Sequence, residues 1–93
     1  IYRGQTALEI QLTAGEDITG ATALIKYKKP DGSIGSWPAE ITDAINGVIR
    51  YQIESVNDID IVGNWVFWTD ITFVSGKWVP GEPVKEHIYE PGE

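Results

Sequence analysis

The sequence predicts an all-β protein, an antiparallel β-sandwich of six to seven strands. Short runs of β-branched and aromatic residues alternate between apolar and polar side chains with a period of two. Clusters of Gly, Pro, Asn and Asp separate these runs, and no segment has a convincing helical periodicity. With 93 residues, of which 42% are hydrophobic, the chain is expected to form a single domain over residues 1–93.

The stretch from residue 63 to residue 79 is the predicted centre of the fold. It holds three of the four tryptophans and both phenylalanines, and Ser75-Gly76-Lys77 interrupts it, which predicts a β-hairpin. Alternation along the first arm separates a core set from a half-exposed set. The core set is Trp65, Phe67, Thr69, Ile71 and Phe73, and the half-exposed set is Val66, Trp68, Asp70, Thr72 and Val74.

Four earlier strands are predicted over residues 6–12, 21–29, 34–41 and 48–54. Their inward side chains are Leu8, Ile10 and Leu12; Ala23, Ile25 and Tyr27; Trp37, Ala39 and Ile41; and Ile49, Tyr51 and Ile53. The opposite side of the second strand carries Lys26 and Lys28 and is expected to be solvated. Because Pro38 has no N–H to donate, the third strand is expected at an edge or a bulge.

Turn chemistry supports this division of the chain. Pro30-Asp31-Gly32-Ser33 predicts a reversal, since proline presets φ and glycine accepts a positive φ. Asn46-Gly47 is the strongest short hairpin signal. Residues 14–20 predict a loop, and residues 55–62 predict a corner or a short helical turn. A last strand over 84–89 precedes an acidic tail at 90–93, which we expect to be frayed.

Charge and composition narrow the classes of function. A net charge of −7 disfavours nucleic acid and anionic membranes as partners. The chain has no cysteine, which excludes disulfides, thiolate metal sites and cysteine nucleophiles. No apolar run is long enough for a transmembrane helix, and the N-terminus lacks the pattern of a signal peptide.

Five stretches taken together resemble a known family. They are residues 17–22 (Asp-Ile-Thr-Gly-Ala-Thr), 25–33 (Ile-Lys-Tyr-Lys-Lys-Pro-Asp-Gly-Ser), 37–41 (Trp-Pro-Ala-Glu-Ile), 47–51 (Gly-Val-Ile-Arg-Tyr) and 58–65 (Asp-Ile-Asp-Ile-Val-Gly-Asn-Trp). In this order and spacing they resemble short immunoglobulin-like modules of tailed-bacteriophage and prophage structural proteins, of the type at the N-terminus of baseplate upper proteins. The resemblance implies an immunoglobulin-like sandwich in a virion component and a role in assembly or host attachment. It carries over no catalytic residue.

The candidate binding residues are Trp68, Trp78, Val66 and Val74, which alternation places off the core face of the hairpin. One interpretation is that they bury against a neighbouring chain, since aromatic residues commonly close a core or an interface. The alternative is that Trp68 and Trp78 stack on sugar rings, which would make this a carbohydrate-binding or adhesion domain. The expected partners are therefore other virion proteins or further copies of the chain, with a host surface glycan as the alternative.

Other reactive residue types give weaker hypotheses. The carboxylates of Glu16-Asp17 and of Asp58 and Asp60 supply hard oxygens in loops, but their spacing matches no dedicated calcium loop. His87 is the only histidine and has no evident nucleophilic partner. We therefore predict no enzyme activity, no cofactor and no metal.

The basic stretch Lys26, Lys28 and Lys29 has three interpretations. It could contact phosphate, which the overall acidity of the chain disfavours, it could protect the edge of a strand, or it could face the acidic surface of another subunit. The predicted location is the phage particle, preceded by the bacterial cytoplasm before assembly.

Overall fold

The computed structural model describes residues 1–55 and 57–92. Eight strands make up its regular structure, and none of the described residues is helical. The strands are β1 (Leu8–Thr13), β2 (Thr22–Lys28), β3 (Ile34–Pro38), β4 (Glu40–Asp43), β5 (Val48–Ile53), β6 (Gly63–Thr72), β7 (Trp78–Pro80) and β8 (Val84–Ile88). No helix of the described part is long and apolar enough to cross a membrane.

The strands form two antiparallel sheets that pack as a sandwich. The small sheet has the order β1-β5-β4, and the large sheet has the order β3-β2-β6. Both β7 and β8 pair with β6, β7 along residues 70–72 and β8 along residues 63–67. Because β2 pairs with β6 over residues 66–72, β7 and β8 must follow one another along its other edge. The predicted all-β sandwich is confirmed.

The core lies between the two sheets and is built from alternate residues of their strands, with Ile18 and Ile59 added from loops. Its fully buried large side chains are Trp65, Phe67, Ile18, Ile25, Ile49, Ile53, Ile59, Ile71 and Ile88. Trp37 of the large sheet stacks on Tyr51 of the small sheet, with ring centroids 4.8 Å apart and planes 12° apart. The Trp65 indole N–H donates a 2.8 Å hydrogen bond to the Ile61 carbonyl, so this buried ring keeps a polar partner.

Local sequence signals produce several elements as predicted. On β2, Ala23 and Ile25 are buried while Thr22 and Lys28 are exposed. In the turn that follows, Gly32 has φ of +91°, and the Asp31 carboxylate accepts a 2.9 Å hydrogen bond from the Ser33 N–H. The predicted core set of the central hairpin is also confirmed from Trp65 to Ile71 and is completed by the half-buried Phe73.

The single strand predicted over residues 34–41 is wrong. The chain leaves the large sheet after Pro38 and enters the small sheet at Glu40, so that β3 and β4 belong to different sheets. At the crossing, the Ala39 N–H still donates a 3.2 Å hydrogen bond to the Ala23 carbonyl of β2. Proline ends β3 because it cannot extend the ladder. This split accounts for one strand beyond the six to seven expected.

Two predicted loops contribute to the core. In the loop before β2, Ile18 is fully buried and its N–H donates a 2.8 Å hydrogen bond to the Ala44 carbonyl. In the segment at 55–62, Ile59 is fully buried. The Asp58 carboxylate organises this corner by accepting hydrogen bonds from the Tyr51 hydroxyl and two backbone N–H groups. Val56, within the predicted corner, lies outside the described residues.

Two side chains differ from the pattern expected of the central hairpin. Asp70 was expected among the half-exposed set but is only 9% exposed, because Leu24 of β2 and Pro80 of β7 pair directly with it. Val74 was expected to continue the strand, but β6 ends at Thr72 and Val74 lies in the following turn.

The C-terminal segment contacts the N-terminus. Tyr2 and Tyr89 form a parallel bridge, and the Arg3 guanidinium donates a 2.8 Å hydrogen bond from Nε to the Glu90 carboxylate. Of the acidic tail at 90–93, Glu93 lies outside the described residues.

Candidate protein interface on the large sheet

The outward side of the large sheet, which we call the basic face, has a half-buried tryptophan near its middle. Residues paired directly across antiparallel strands point to the same side of a sheet. Trp68 pairs with Lys26, which in turn pairs with Ser36 of β3. Val66, two residues before Trp68 on β6, is also half-buried. The two predicted binding residues Trp68 and Val66 are therefore neighbours on one face.

Three lysines surround this apolar centre. Val66 pairs with Lys28 on one side and with Lys85 of β8 on the other, while Lys26 lies directly beside Trp68. Among acidic residues only Asp70 belongs to the described cross-strand rows of this face, and it is nearly buried. The basic face therefore carries positive charge on a chain whose net charge is −7.

The remaining cations of the described chain are already engaged. Lys29 binds Asp60 at 2.8 Å, and Arg50 binds Glu40 at 2.8 Å with Glu9 at 3.7 Å. Arg3 binds Glu90, and Lys77 lies 5.4 Å from the centre of the Phe73 ring. By contrast, no carboxylate of residues 1–55 and 57–92 lies within ion-pair distance of Lys26, Lys28 or Lys85. These three lysines, and Lys77 at the hairpin end, are the Lys and Arg side chains of the described residues that have no carboxylate partner.

The structure corrects one interpretation of the basic stretch. Protection of a strand edge is wrong for Lys26 and Lys28, because β2 lies between β3 and β6 inside the large sheet. Lys29 follows β2, and its pairing with Asp60 and its packing 5.5 Å from the Trp65 ring centre separate it from the other two. The pKa of Lys29 is raised by its hydrogen bond to Asp60.

Trp78 and Val74 lie away from this centre, near the β6–β7 turn. Trp78 pairs with Thr72, four residues along β6 from Trp68, which corresponds to roughly 13 Å of strand. The pair formed by Asp70 and Pro80 lies between the two tryptophans. Trp78 is 58% exposed and Val74 is 92% exposed. The four predicted binding residues thus form two groups, a central one and one at the hairpin end.

The outward side of the small sheet, which we call the acidic face, has the opposite charge. Its cross-strand rows pair Glu9 with Gln52, Gln11 with Arg50, and Arg50 with Glu40. Asp43 pairs with Val48 at the end of the same face. A depression of about 190 Å³ beside it is lined by Glu40, Arg50 and Glu54 among others. Acidic side chains therefore outnumber basic ones in these rows, in which Arg50 is the one basic residue.

Of the residues considered for metal binding or catalysis, Asp17, Asp58, Asp60 and His87 have local partners, while Oε1 of Glu16 is buried without a hydrogen-bond partner among the described residues. Asp17 accepts hydrogen bonds from the Thr19 N–H at 2.9 Å and its hydroxyl at 2.6 Å, and these bonds lower the pKa of Asp17. Asp58 holds the corner described above, and Asp60 binds Lys29. His87 on β8 has Nδ1 2.8 Å from the Asn64 side-chain oxygen. The part of the chain that the structure describes contains no group of three or more metal-ligating side chains.

Lys85 is the member of the basic face that sequence reasoning missed. Residues 84–88 have no apolar alternation comparable to that of β6, so the sequence alone did not show which side each residue faces. The available signal was the apolar Ile88 at the end of that strand. Counting back in twos from Ile88 reaches Glu86 and Val84, which leaves Lys85 and His87 on the outward side.

The structure defines a small antiparallel β-sandwich with one basic and one acidic outer face. A scan against family models matches residues 4–65 to the BppU N-terminal domain. The chain therefore belongs to the family of phage baseplate upper protein N-terminal domains. Membership of this family implies a structural domain of the phage baseplate and a place in the virion.

The comparison with solved structures concerns the fold alone. The crystal structure of CopC from Methylosinus trichosporium OB3b is similar with a TM-score of 0.63 and 13% identity. The match covers 95% of this chain and 81% of that one. A search of curated proteins finds no match.

Proposed function

We propose that this chain is a non-enzymatic assembly module of a phage baseplate that acts by protein–protein contact through its basic face. The observation that carries the proposal is the half-buried Trp68 and Val66, framed by three lysines without a carboxylate partner among the described residues. Aromatic residues at the centre of an interface supply much of its binding free energy, and surrounding charges set orientation. We further propose that residues 1–93 form one domain, expressed in the bacterial cytoplasm and then incorporated into the particle.

The experiment supplies variants of the chain to a culture that produces particles, and measures incorporation. Mass spectrometry of sedimented particles gives the amount of this chain relative to other tail proteins. Trp68→Ala should reduce incorporation, because it removes the largest apolar side chain among the three lysines of the basic face. Val74→Ala is the matched control, since Val74 is 92% exposed in a turn away from that face. Circular dichroism of each purified variant checks that the sandwich is retained.

If a correctly folded Trp68→Ala variant enters particles at the wild-type level, the proposed role of the basic face as an interface is contradicted. A second variant, Val66→Ser, tests the same centre with a smaller change. If both variants enter particles at wild-type levels, the proposed interface is wrong, whatever the family contributes to the baseplate elsewhere.

A carbohydrate-binding role is the alternative, and the 58% exposure of Trp78 favours it, because an exposed indole can stack on a sugar ring. Under this alternative Trp78→Ala leaves incorporation unchanged but lowers binding of the particles to host cells. The Trp68→Ala variant would then enter particles normally. The two proposals therefore differ in which tryptophan matters and in which measurement changes.

A further inference from the structure

The large and small sheets of the sandwich expose outer faces of opposite charge. The basic face has Lys26, Lys28 and Lys85 around Trp68, and the acidic face has Glu9 and Glu40 on neighbouring strands. Since each is the outward side of one sheet of a sandwich, the two faces point in opposite directions. A stack of identical domains would therefore bring each basic face against the acidic face of the next domain.

We propose that the basic face docks on the acidic face of a second copy of this chain, so that copies associate head to tail. This inference rests on the proposed function, since it names the partner of the same face. The contact is heterologous, because different surfaces of the two copies meet, and such contacts form rings or open stacks rather than closed two-fold dimers. Two copies joined by one such interface leave a free basic face at one end of the dimer and a free acidic face at the other.

Charge complementarity supports a copy of the chain as the occupant. A net charge of −7 makes copies repel at long range, but salt screens this repulsion beyond a Debye length of about 8 Å at physiological ionic strength. At contact, the local pairs between lysines and carboxylates dominate. The acidic face can accept lysines, because Glu40 is 65% exposed at its side chain even while it binds Arg50.

The apolar part of the contact comes from the basic face. Trp68 and Val66 are half-buried within the chain, so each keeps surface that a partner can cover. Ile34 of the edge strand β3 pairs with Lys28 of β2, is 65% exposed and extends the apolar area of the basic face. The acidic face offers Val48 and the aliphatic parts of Gln11 and Gln52 in its rows. Contact of this kind would exclude water from the central lysine–carboxylate pairs.

Two double variants of the chain test the inference by sedimentation velocity. The basic-face variant is Lys26→Gln/Lys85→Gln, and the acidic-face variant is Glu9→Lys/Glu40→Lys, so that the two altered faces do not attract one another. Each keeps one intact face, so each alone should be monomeric under conditions in which the wild type associates. A one-to-one mixture should form dimers of the two variants and nothing larger, because the acidic face of the first can bind the basic face of the second.

A matched pair of single variants separates local pairing from net charge. Lys26→Glu should raise the dissociation constant for self-association by about tenfold, because it places a carboxylate beside Trp68. Lys77→Glu makes the same change in net charge at the hairpin end and should change the constant by less than about twofold. Raising the salt concentration should weaken the self-association of the wild type, because salt screens the lysine–carboxylate pairs.

Three outcomes would overturn the inference: a wild type that is monomeric at all concentrations, equal effects of Lys26→Glu and Lys77→Glu, or the absence of a mixed dimer. A monomeric wild type that binds an anionic polysaccharide such as polygalacturonate would identify the basic face as a glycan site instead. If self-association fails but Trp68→Ala still reduces incorporation into particles, the proposed function stands and its partner is another virion protein.

Discussion

Replacement of Gly47 by alanine should destabilise the fold much more than the same change at Gly76. Both glycines have a left-handed backbone, with φ of +72° at Gly47 and +90° at Gly76. A Cβ in this region costs roughly 1–2 kcal/mol because it crowds the backbone. At Gly76 nothing lies within 4 Å of the added atom, so only this conformational cost applies.

At Gly47 the added Cβ would also meet the loop before β2. It would overlap the Glu16 carbonyl oxygen and lie 3.2 Å from the Ala14 Cβ, so the loop has to move. Such movement would weaken the 2.7 Å hydrogen bond from the Ala14 N–H to the Gly47 carbonyl, worth about 1 kcal/mol. It would also disturb the buried Ile18, whose burial contributes roughly 1.5–3 kcal/mol.

The expected loss is therefore about 3 kcal/mol for Gly47→Ala and about 1 kcal/mol for Gly76→Ala. Urea unfolding followed by tryptophan fluorescence measures both values. For a domain whose total stability is roughly 5–15 kcal/mol, the first loss is large but leaves a folded state to measure. Losses that agree within about 0.5 kcal/mol would refute the packing of the loop against the hairpin.

Two further predictions concern other parts of the sandwich. Gly35→Ala should destabilise the fold by about 2 kcal/mol, because the added Cβ would overlap the Tyr27 phenol, whose ring centre lies 4.7 Å from that of Trp37. Thermal unfolding should show the loss as a lowered midpoint, and an unchanged midpoint would contradict the contact. The pKa of Asp43 is lowered by hydrogen bonds from the Asn46 side chain and backbone. Its stabilising effect is thus present above the ordinary value of 3.8 and is lost as pH falls through the lowered pKa. Comparison of urea unfolding at pH 7 and about pH 3 should therefore show a smaller loss in Asp43→Asn than in the wild type, and equal losses would contradict this role.

The outer faces show how far alternation can predict a surface. Period-2 spacing assigned Val66 and Trp68 to the outward side of β6, and it assigned Lys26 and Lys28 to the outward side of β2. It did not show that these residues share one face with Lys85, because that depends on the pairing of β6 with both β2 and β8. Strand pairing between distant segments is decided by the burial that a whole sheet achieves, which no local pattern contains.

Irregular segments were harder to assign than strands. Ile18 lies in a stretch rich in turn-forming and acidic residues, and Ile59 lies between two aspartates, so neither belongs to an apolar pattern. Both are fully buried because they pack into the core cluster between the sheets although they lie outside the strands. Conversely, Asp70 follows the outward alternation but is covered by its neighbours Leu24 and Pro80.

The sequence by itself determined the all-β class, the turn at residues 30–33, the hairpin at Asn46-Gly47 and the aromatic core strand from Trp65 to Ile71. These features depend on backbone restrictions and side-chain alternation within a few residues. Only the tertiary structure decided that residues 34–41 divide between two sheets, that Trp68 and Trp78 are separate, and that lysines from two distant strands surround one apolar centre. The physical reason is that these features follow from which strands pair and in what register, and pairing is settled by the packing of the complete core.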